Sequence, residues 1–344
     1  MLSWLRRVFS GSMPKPKAQP PEPLASFDDL NALIDRCGLE SAREAILRHT
    51  KPCFHMIAGK PATDAPLGGS RLGGAPDLAI GTEWPRNDYG YCGFLGQLDL
   101  ADVRTRTGCL DLPAESLLSL FVDYIESAGD PVPVRAILTP AGTALERLTA
   151  PEGEDAYGAY VNRLKPVSIA AFRPGITVPA MGLDLHERVE ALAPDGDFDR
   201  FQDAVIERPA GAIGQLLGQG FDHDGSDLRL ALHARQIGRE GLERFAFIKD
   251  WDEWLSLKRI ESRLKNGTIY RPWSDDQDDQ VRYFLDNREA FFAGADALRL
   301  LLLIESNKAM DMWINDADPI FLFIPEANLA KGDFSVLLGA VTQG

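Results

Sequence analysis

The stretch RLGGAPDLAIGTEWP, from Arg71 to Pro85, holds two adjacent glycines, two prolines and a tryptophan, and it runs into the strand-like segment GFLGQLDL. A phosphate-binding loop needs glycines directly after a strand and a helix N-terminus behind them. Here prolines and Trp84 follow the glycines, and no helical periodicity comes after them. Glycine and proline in this arrangement are typical of tight turns. The stretch therefore predicts a shaped turn in a β-rich fold.

Short apolar segments bounded by Gly, Pro or Asp predict β-strands on both sides of this turn. They are CFHMIA, FLGQLDL, SLLSLFVDY, VPVRAIL and PVSIAAF, and near the end of the chain ALRLLLLIE, PIFLFI and FSVLLGAVT. Apolar residues at three- and four-residue spacing predict helices within residues 26–50, 185–208 and 250–293.

A weak internal echo connects the two groups of strands. Phe94 to Asp99 leads through a turn to one apolar strand, and Leu301 to Glu305 leads through a turn to another. The simplest architecture that accommodates this echo is an α+β fold with a β-rich core of two pseudo-repeated halves, at about residues 52–180 and 213–344, and added helices. We expect residues 26–344 to form a single domain.

Residues 1–25 differ in composition from the rest of the chain. Met1 to Phe9 combines apolar residues with Arg6 and Arg7, and PKPKAQPPEP follows with five prolines in ten residues. Proline removes amide donors and fixes φ, so this segment predicts a disordered tail and linker. A nine-residue amphipathic helix would give at most a weak, reversible contact with an anionic membrane surface.

Charge and cysteine usage restrict the class of protein. The net charge is −15, which disfavours nucleic acid as a partner and suits either solubility or a basic protein partner. The longest apolar run, Leu300 to Ile304, is far shorter than a membrane span. The four cysteines form no CxxC pair and no signal peptide precedes them, so we expect a cytoplasmic protein, with peripheral membrane attachment through Met1 to Phe9 as the alternative.

Motifs for catalysis or metal binding are not evident. The chain lacks a G-x-S-x-G elbow, its histidines and cysteines lack metal-ligand spacing, and DHDGSD lacks the glycine and glutamate of a calcium loop. His55, inside an apolar strand, is the one histidine that merits structural inspection. We therefore predict no catalytic residue, metal or cofactor, and an enzyme is the less favoured class.

Polar and aromatic residues beside the turns are the candidates for a ligand site. Buried polar side chains need partners, and here they either hydrogen-bond turn backbones or share a ligand pocket between the two halves. The first explanation is the simpler one. The candidate ligand-binding residues are Arg71, Trp84, Gln97, Asp99, Trp313 and Asp316.

Several of these motifs, taken in order, resemble the YwqG-like family of bacterial proteins. They are GGAPDLAIGTEWP, GFLGQLDLADV, LPAESLLSLF, LLGQGFD and the C-terminal LRLLLLIES…MDMWINDADPIFLFIPEANLAKGDFSVLLGAVTQ. The chain departs from the family pattern at Glu305, where that pattern has a glutamine and aspartate, and at Asn328, which replaces an aspartate. The resemblance implies a pseudo-repeated, β-roll type of fold. It implies no reaction, and it suggests an association with toxin and immunity loci.

Two functions follow as hypotheses. The first is a cytoplasmic bacterial protein-binding module, with toxin neutralisation as one version, supported by the acidic body and the missing catalytic motifs. The second is an enzyme or small-ligand binder with a cleft between the two β halves. The two differ in whether the candidate side chains converge on one concave pocket.

Overall fold

The computed structural model describes residues 23–86, 90–109, 112–122, 131–132, 134–151, 160–179, 183–220, 228–246, 248, 275–314 and 317–341. Four features that the sequence singled out lie outside these residues: the tail up to residue 22, DHDGSD at residues 222–227, residues 250–274 of the predicted helical segment, and Asp316.

One antiparallel sheet of eleven strands organises the described residues, in the order β6-β13-β12-β11-β10-β1-β9-β2-β4-β5-β7. A two-stranded ribbon, β3–β8, lies apart from it. The strands are β1 (Lys51–Pro61), β2 (Arg71–Leu72), β3 (Asp77–Ala79), β4 (Gly93–Asp99), β5 (Ser116–Val122), β6 (Pro131–Val132), β7 (Val134–Pro140), β8 (Leu145–Arg147), β9 (Val167–Thr177), β10 (Ala212–Leu216), β11 (Leu298–Ile304), β12 (Ile320–Pro325) and β13 (Leu338–Val341). The α+β class with a β-rich core is thus confirmed.

The sheet curls until its two ends nearly meet. β6 and β7 are the end strands, yet a single residue separates them in the chain. A Cβ added at Gly339 in β13 would lie 2.7 Å from Val134 in β7, so the two ends touch. All eleven strands contribute to one apolar cluster inside this curl, including Met56, Leu120 and Leu322.

Two groups of helices cover the outside of the sheet, and two further helices contribute Leu100, Val103 and Leu329 to the cluster inside the curl. The structure describes eight α-helices. They are α1 (Phe27–Arg36), α2 (Arg43–Arg48), α3 (Leu100–Thr107), α4 (Leu183–Leu192), α5 (Phe198–Val205), α6 (Leu228–Gln236), α7 (Asp275–Asp296) and α8 (Glu326–Leu329). One group, α1, α2, α4 and α5, packs around Ile176 and Val178. The other places Leu228 and Leu232 of α6 on Phe321 and Phe323 of β12.

The residues at its two ends explain where helix α1 begins and ends. The Ser26 side chain accepts a hydrogen bond from the backbone N–H of Asp29, and Leu30, Leu33 and Ile34 are buried. Gly38 follows with φ of 67°, a left-handed conformation that glycine adopts without strain. Leu24 is also buried in this helical layer, so the packed part includes a residue that the sequence assigned to the linker.

The sequence missed several elements. The predicted segment 185–208 is two helices, α4 and α5, separated by Gly196. Strand β10 and helices α3 and α6 were not predicted as such, since each spans nine residues or fewer and its periodicity is weak. Among the described residues, no helix is both long and apolar enough to cross a bilayer.

The triplet Gly-Gln-Leu occurs in two strands of the sheet, at 96–98 in β4 and 214–216 in β10. Both glutamines are fully buried. Both glycines allow a neighbouring strand to approach closely: an added Cβ at Gly96 would lie 2.9 Å from the Arg71 carbonyl oxygen, and one at Gly214 would overlap that of Leu303. The two triplets thus serve the same packing role on the two sides of the β1–β9 pair.

Replacing either glycine by alanine should therefore destabilise the protein. We expect Gly96→Ala and Gly214→Ala each to lower the free energy of unfolding by about 1–3 kcal/mol, because the added methyl group has no space beside a backbone carbonyl. Gly69→Ala is the matched control, since its Cβ would be 3.7 Å from the nearest atom. Urea unfolding measures all three, and equal stability of Gly214→Ala and Gly69→Ala would contradict the close approach.

Candidate functional site

A buried carboxylate, Asp77 in β3, holds the glycine-rich turn together. Its side chain is 0% exposed and forms ion pairs with Arg71 (Nη1 to Oδ2, 2.8 Å) and Arg147 (Nε to Oδ1, 2.8 Å). The backbone N–H of Gly68 also donates to Oδ2, at 2.8 Å. Burial alone would raise the pKa of Asp77, but the hydrogen bonds from the two arginines outweigh burial and lower the pKa to about 2. Asp77 is therefore ionised at neutral pH.

Arg71 and Gln97 both belong to the group of polar residues that we call the Asp77 cluster: Asp77, Arg71, Arg147 and Gln97. Arg71 is 1% exposed and also donates to the Ala75 carbonyl oxygen. Gln97 accepts from the Asp77 N–H (2.9 Å) and donates to the Gly69 carbonyl oxygen (2.9 Å) and to Asp77 Oδ2 (3.1 Å). Their polar groups thus fix the turn backbone, as the simpler of the two explanations required. Gly73 and Gly74 adopt the predicted positive φ, at 67° and 79°.

Asp99 and Trp84 also have structural contacts. Asp99 caps helix α3, where its Oδ1 accepts from the N–H groups of Ala101 (3.1 Å) and Asp102 (3.4 Å). Trp84 is 8% exposed and donates from its indole N–H to the Cys92 carbonyl oxygen (2.8 Å). Four of the six candidates thus lie near the turn, and each of these four has protein partners.

Trp313 lies apart from these four residues. Its side chain is 61% exposed, while its carbonyl oxygen accepts a 2.7 Å hydrogen bond from the Tyr160 hydroxyl. The segment that contains Trp313 is linked to the glycine-rich turn indirectly. The backbone N–H of Gly74 donates to the Leu164 carbonyl oxygen, and the backbone N–H of Lys165 donates to the Met310 carbonyl oxygen. The described residues therefore do not bring Trp313 into one pocket with Arg71 and Gln97.

The sequence missed a surface that the Asp77 cluster supports. Leu67 (52% exposed) and Ile80 (66% exposed) adjoin Gly68 and Ala79, two residues that lie next to Leu145. An added Cβ at Gly68 would touch Leu145 Cδ1 at 3.4 Å, and Leu145 pairs with Ala79 in the ribbon. We call Leu67, Ile80 and Leu145 the Ile80 surface. Exposed carboxylates flank it at Asp64 and Glu83, and Glu146 accepts from the Gly81 N–H.

Gln215 in β10 occupies a second polar cluster, which the sequence analysis overlooked. Its Nε2 donates to the carbonyl oxygens of Leu217 (2.7 Å) and Gln219 (3.2 Å), and Arg208 donates to its Oε1 (3.1 Å). Arg208 also pairs with Glu305 at 3.3 Å. Burial raises the pKa of Glu305, and Arg208 partly offsets this effect. Each buried glutamine thus fixes a turn beside an arginine–carboxylate pair.

His55 lies opposite Gln215 in the sheet and is 2% exposed. Its Nε2 is 3.8 Å from Cys53 Sγ, and its Nδ1 has no hydrogen-bond partner in the part of the chain that is described. Burial raises the pKa of the Cys53 thiol to about 12; burial and Arg208 lower that of His55 to about 4. Both side chains are neutral at pH 7, so they do not form a thiolate–imidazolium pair. The described residues also contain no group of three or more potential metal ligands.

A cavity of about 250 Å³ opens near this second cluster. It lies between the start of β1, the glycine loop after β10, the start of β11 and the end of α7. Its lining includes the cations Lys51, Arg229 and Arg299 and the carboxylates Asp296 and Glu326.

Removing the charge of Asp77 should be costly because Arg71 would remain buried without a counterion. We expect Asp77→Asn to lower the free energy of unfolding at pH 7 by about 3–5 kcal/mol. Asp102→Asn, which breaks the exposed pair with Arg106, should cost less than about 0.5 kcal/mol. The Asp77 contribution is complete above its unfolded pKa of 3.8 and is lost as the pH falls towards about 2. Urea unfolding at pH 7 and pH 3 measures both effects, and a cost as small as that of Asp102→Asn would contradict a buried ion pair.

His55 should make the protein sensitive to mild acid. Its folded pKa of about 4 lies below the ordinary 6.5, so the unfolded state takes up a proton first as the pH falls. We expect stability to decrease between pH 6.5 and pH 4, by up to roughly 3 kcal/mol from this group. The raised pKa of Glu305 acts in the opposite direction, so the test is the difference between wild type and His55→Asn.

The stability difference between wild type and His55→Asn should shrink between pH 6.5 and pH 4. Thermal unfolding across this pH range is the measurement. Parallel profiles for wild type and His55→Asn would show that His55 takes up a proton as readily in the folded protein as in the unfolded chain, which would contradict its lowered pKa.

Part of the chain matches a known protein family. Residues 70–135 match a family described as a domain of unknown function (DUF1963). The matched segment begins one residue before Arg71 and contains Asp77, Ile80 and Gln97. No curated protein matches the chain. The segment that forms most of the Asp77 cluster is thus similar to a domain whose function is unknown.

Proposed function

We propose that this protein is a protein-binding module and that the Ile80 surface is its docking site. The observation that carries the proposal is that exposed apolar side chains are attached to a backbone that the Asp77 cluster holds in place. Single exposed apolar residues are common, but contiguous ones indicate contact surfaces. A backbone that is already ordered loses little conformational entropy on binding. Trp313 is less suited to this role because the described residues nearest to it in the chain include Asp311, which forms an exposed ion pair with Lys165, and no other exposed large apolar side chain.

Charge favours a basic partner. The net charge of the chain is −15, and Asp64, Glu83 and Glu146 lie close in the chain to the residues of the Ile80 surface. Arg147, the cation beneath this surface, is already paired with Asp77. Complementary charge would speed association and select among partners. Neutralisation of a basic toxin in the bacterial cytoplasm is one version of this function.

The finer fold assignment supports the same proposal. We infer that the internal repeat of a YwqG-like, β-roll type of fold runs through β4 and β10, whereas the sequence analysis placed the second copy at Leu301 to Glu305, which is largely strand β11. The Gly-Gln-Leu triplets and the arginine–carboxylate pair beside each glutamine support this inference. In the first half the pair is buried and fixes the ribbon; in the second, Arg208 and Glu305 are each 32% exposed. Only the first half therefore combines a buried arginine–carboxylate pair with the Ile80 surface.

The alternative, a small-ligand site built from Arg71, Gln97 and Asp99, has less support because these side chains are occupied by protein partners. A ligand role at this place would require the Asp77 cluster to open, which would leave buried charges unpaired.

The docking proposal is tested by affinity capture from lysate of the native host. We expect wild type to capture a partner and the double variant Leu67→Asp/Ile80→Asp to lose it, because two negative charges replace the apolar contact. Ile206→Asp is the matched control, since Ile206 is 54% exposed on the helical layer. Trp313→Ala tests the other exposed candidate. Retention of the partner by the double variant, or its loss only with Trp313→Ala, would contradict the proposed surface.

A further inference from the structure

The cavity near the second cluster has one unbalanced positive charge. Arg229 pairs with Asp296 (3.2 Å), and Arg299 pairs with Glu326 (3.5 Å). Lys51 has no carboxylate within 4 Å among the described residues, and its side chain is exposed. Its position is fixed by the backbone, since the Lys51 carbonyl oxygen accepts from Thr177 Oγ1 at 3.0 Å. A negative ligand group would therefore find its counterion at Lys51.

The glycine loop forms another wall of the cavity. An added Cβ at Gly218 would lie 2.8 Å from Cys53 Cβ, and one at Gly220 would lie 2.7 Å from the Phe321 ring. Glycine therefore allows the backbone to approach the sheet. The N–H groups of Gly218 and Gly220 donate to no acceptor in the described part of the chain. Gln219 is held by Thr177 Oγ1 and by Gln215, so this loop is fixed before any ligand arrives.

The remaining lining is apolar. Leu298, Leu300 and Phe323 are each at most 3% exposed and belong to the cluster beneath α6. A ligand with a short hydrocarbon group could contact them while its charge faces Lys51. The volume of about 250 Å³ is below the usual range of roughly 300–1,000 Å³ for drug-sized ligands, so the occupant is small.

We propose that this cavity binds a small organic monoanion, a carboxylate on a short aliphatic or aromatic group. Lys51 and the loop amides would hold the carboxylate, and Leu298, Leu300 and Phe323 would contact the hydrocarbon. A phosphate dianion fits less well, because its second charge would face Asp296 and Glu326. This site is separate from the Ile80 surface and its function does not depend on it.

Hexanoate is the probe, titrated into the full-length protein and followed by calorimetry. We expect saturable binding of hexanoate at least tenfold tighter than that of acetate or inorganic phosphate, and no binding of hexylamine, which has the opposite charge. Lys51→Met should weaken hexanoate binding at least tenfold. Lys60→Met is the matched control, because Lys60 is an exposed lysine at the other end of the same strand.

Thermal unfolding confirms that both variants are folded. Equal hexanoate affinity in Lys51→Met and Lys60→Met would overturn the role of Lys51. Equal affinities for hexanoate and acetate would overturn the apolar contact. Binding of hexylamine, or no binding of hexanoate, would overturn the proposal as a whole.

Discussion

The ion pairs of Asp77 are the interaction on which the described architecture around the glycine-rich turn depends. One carboxylate joins β2 through Arg71, β8 through Arg147 and the preceding loop through Gly68. Gln97 adds β4 to the same cluster. Burying these charges costs solvation energy that the ion pairs offset only in a well-formed geometry. The cluster therefore contributes more to the choice of one backbone arrangement than to net stability, and it fixes where the β3–β8 ribbon lies.

In the second polar cluster a buried glutamine also fixes a turn, but the adjacent ion pair is not fully buried. Gln215 fixes the turn at 217–219, yet the adjacent Arg208–Glu305 pair remains partly exposed. Beside it, burial keeps Cys53 protonated and His55 neutral, so these two side chains of β1 carry no charge at pH 7. Lys51 lies at the start of the same strand, where its exposed side chain lines the cavity. Burial thus removes charge from the middle of β1, whereas the exposed start of the strand keeps it.

Local patterns were sufficient to predict much of the fold. Ser26 and Gly38 delimit α1, the paired glycines at 73–74 adopt the expected turn conformation, and most long strands were recognised by their apolar runs. The candidate site was predicted less well because its key contact is not local. Asp77 was inside the quoted stretch, but its partner Arg147 lies 70 residues later, and no local pattern connects them. The repeated Gly-Gln-Leu triplet was visible in the sequence and would have identified Gln215.

The buried cluster also favours the proposed protein interface over a ligand pocket at this turn. A pocket needs polar groups that are free to change partners, whereas Arg71, Asp77 and Gln97 each hold protein atoms that would be left unsatisfied in the interior. An interface makes no such demand, because it uses side chains that already point outward. Leu67 and Ile80 meet this condition, and the acidic residues around them provide charge selectivity without disturbing the interior. Asp77 thus holds the loop at Gly68 and the β3–β8 ribbon in place, and the exposed side chains of Leu67 and Ile80 are attached to this fixed backbone.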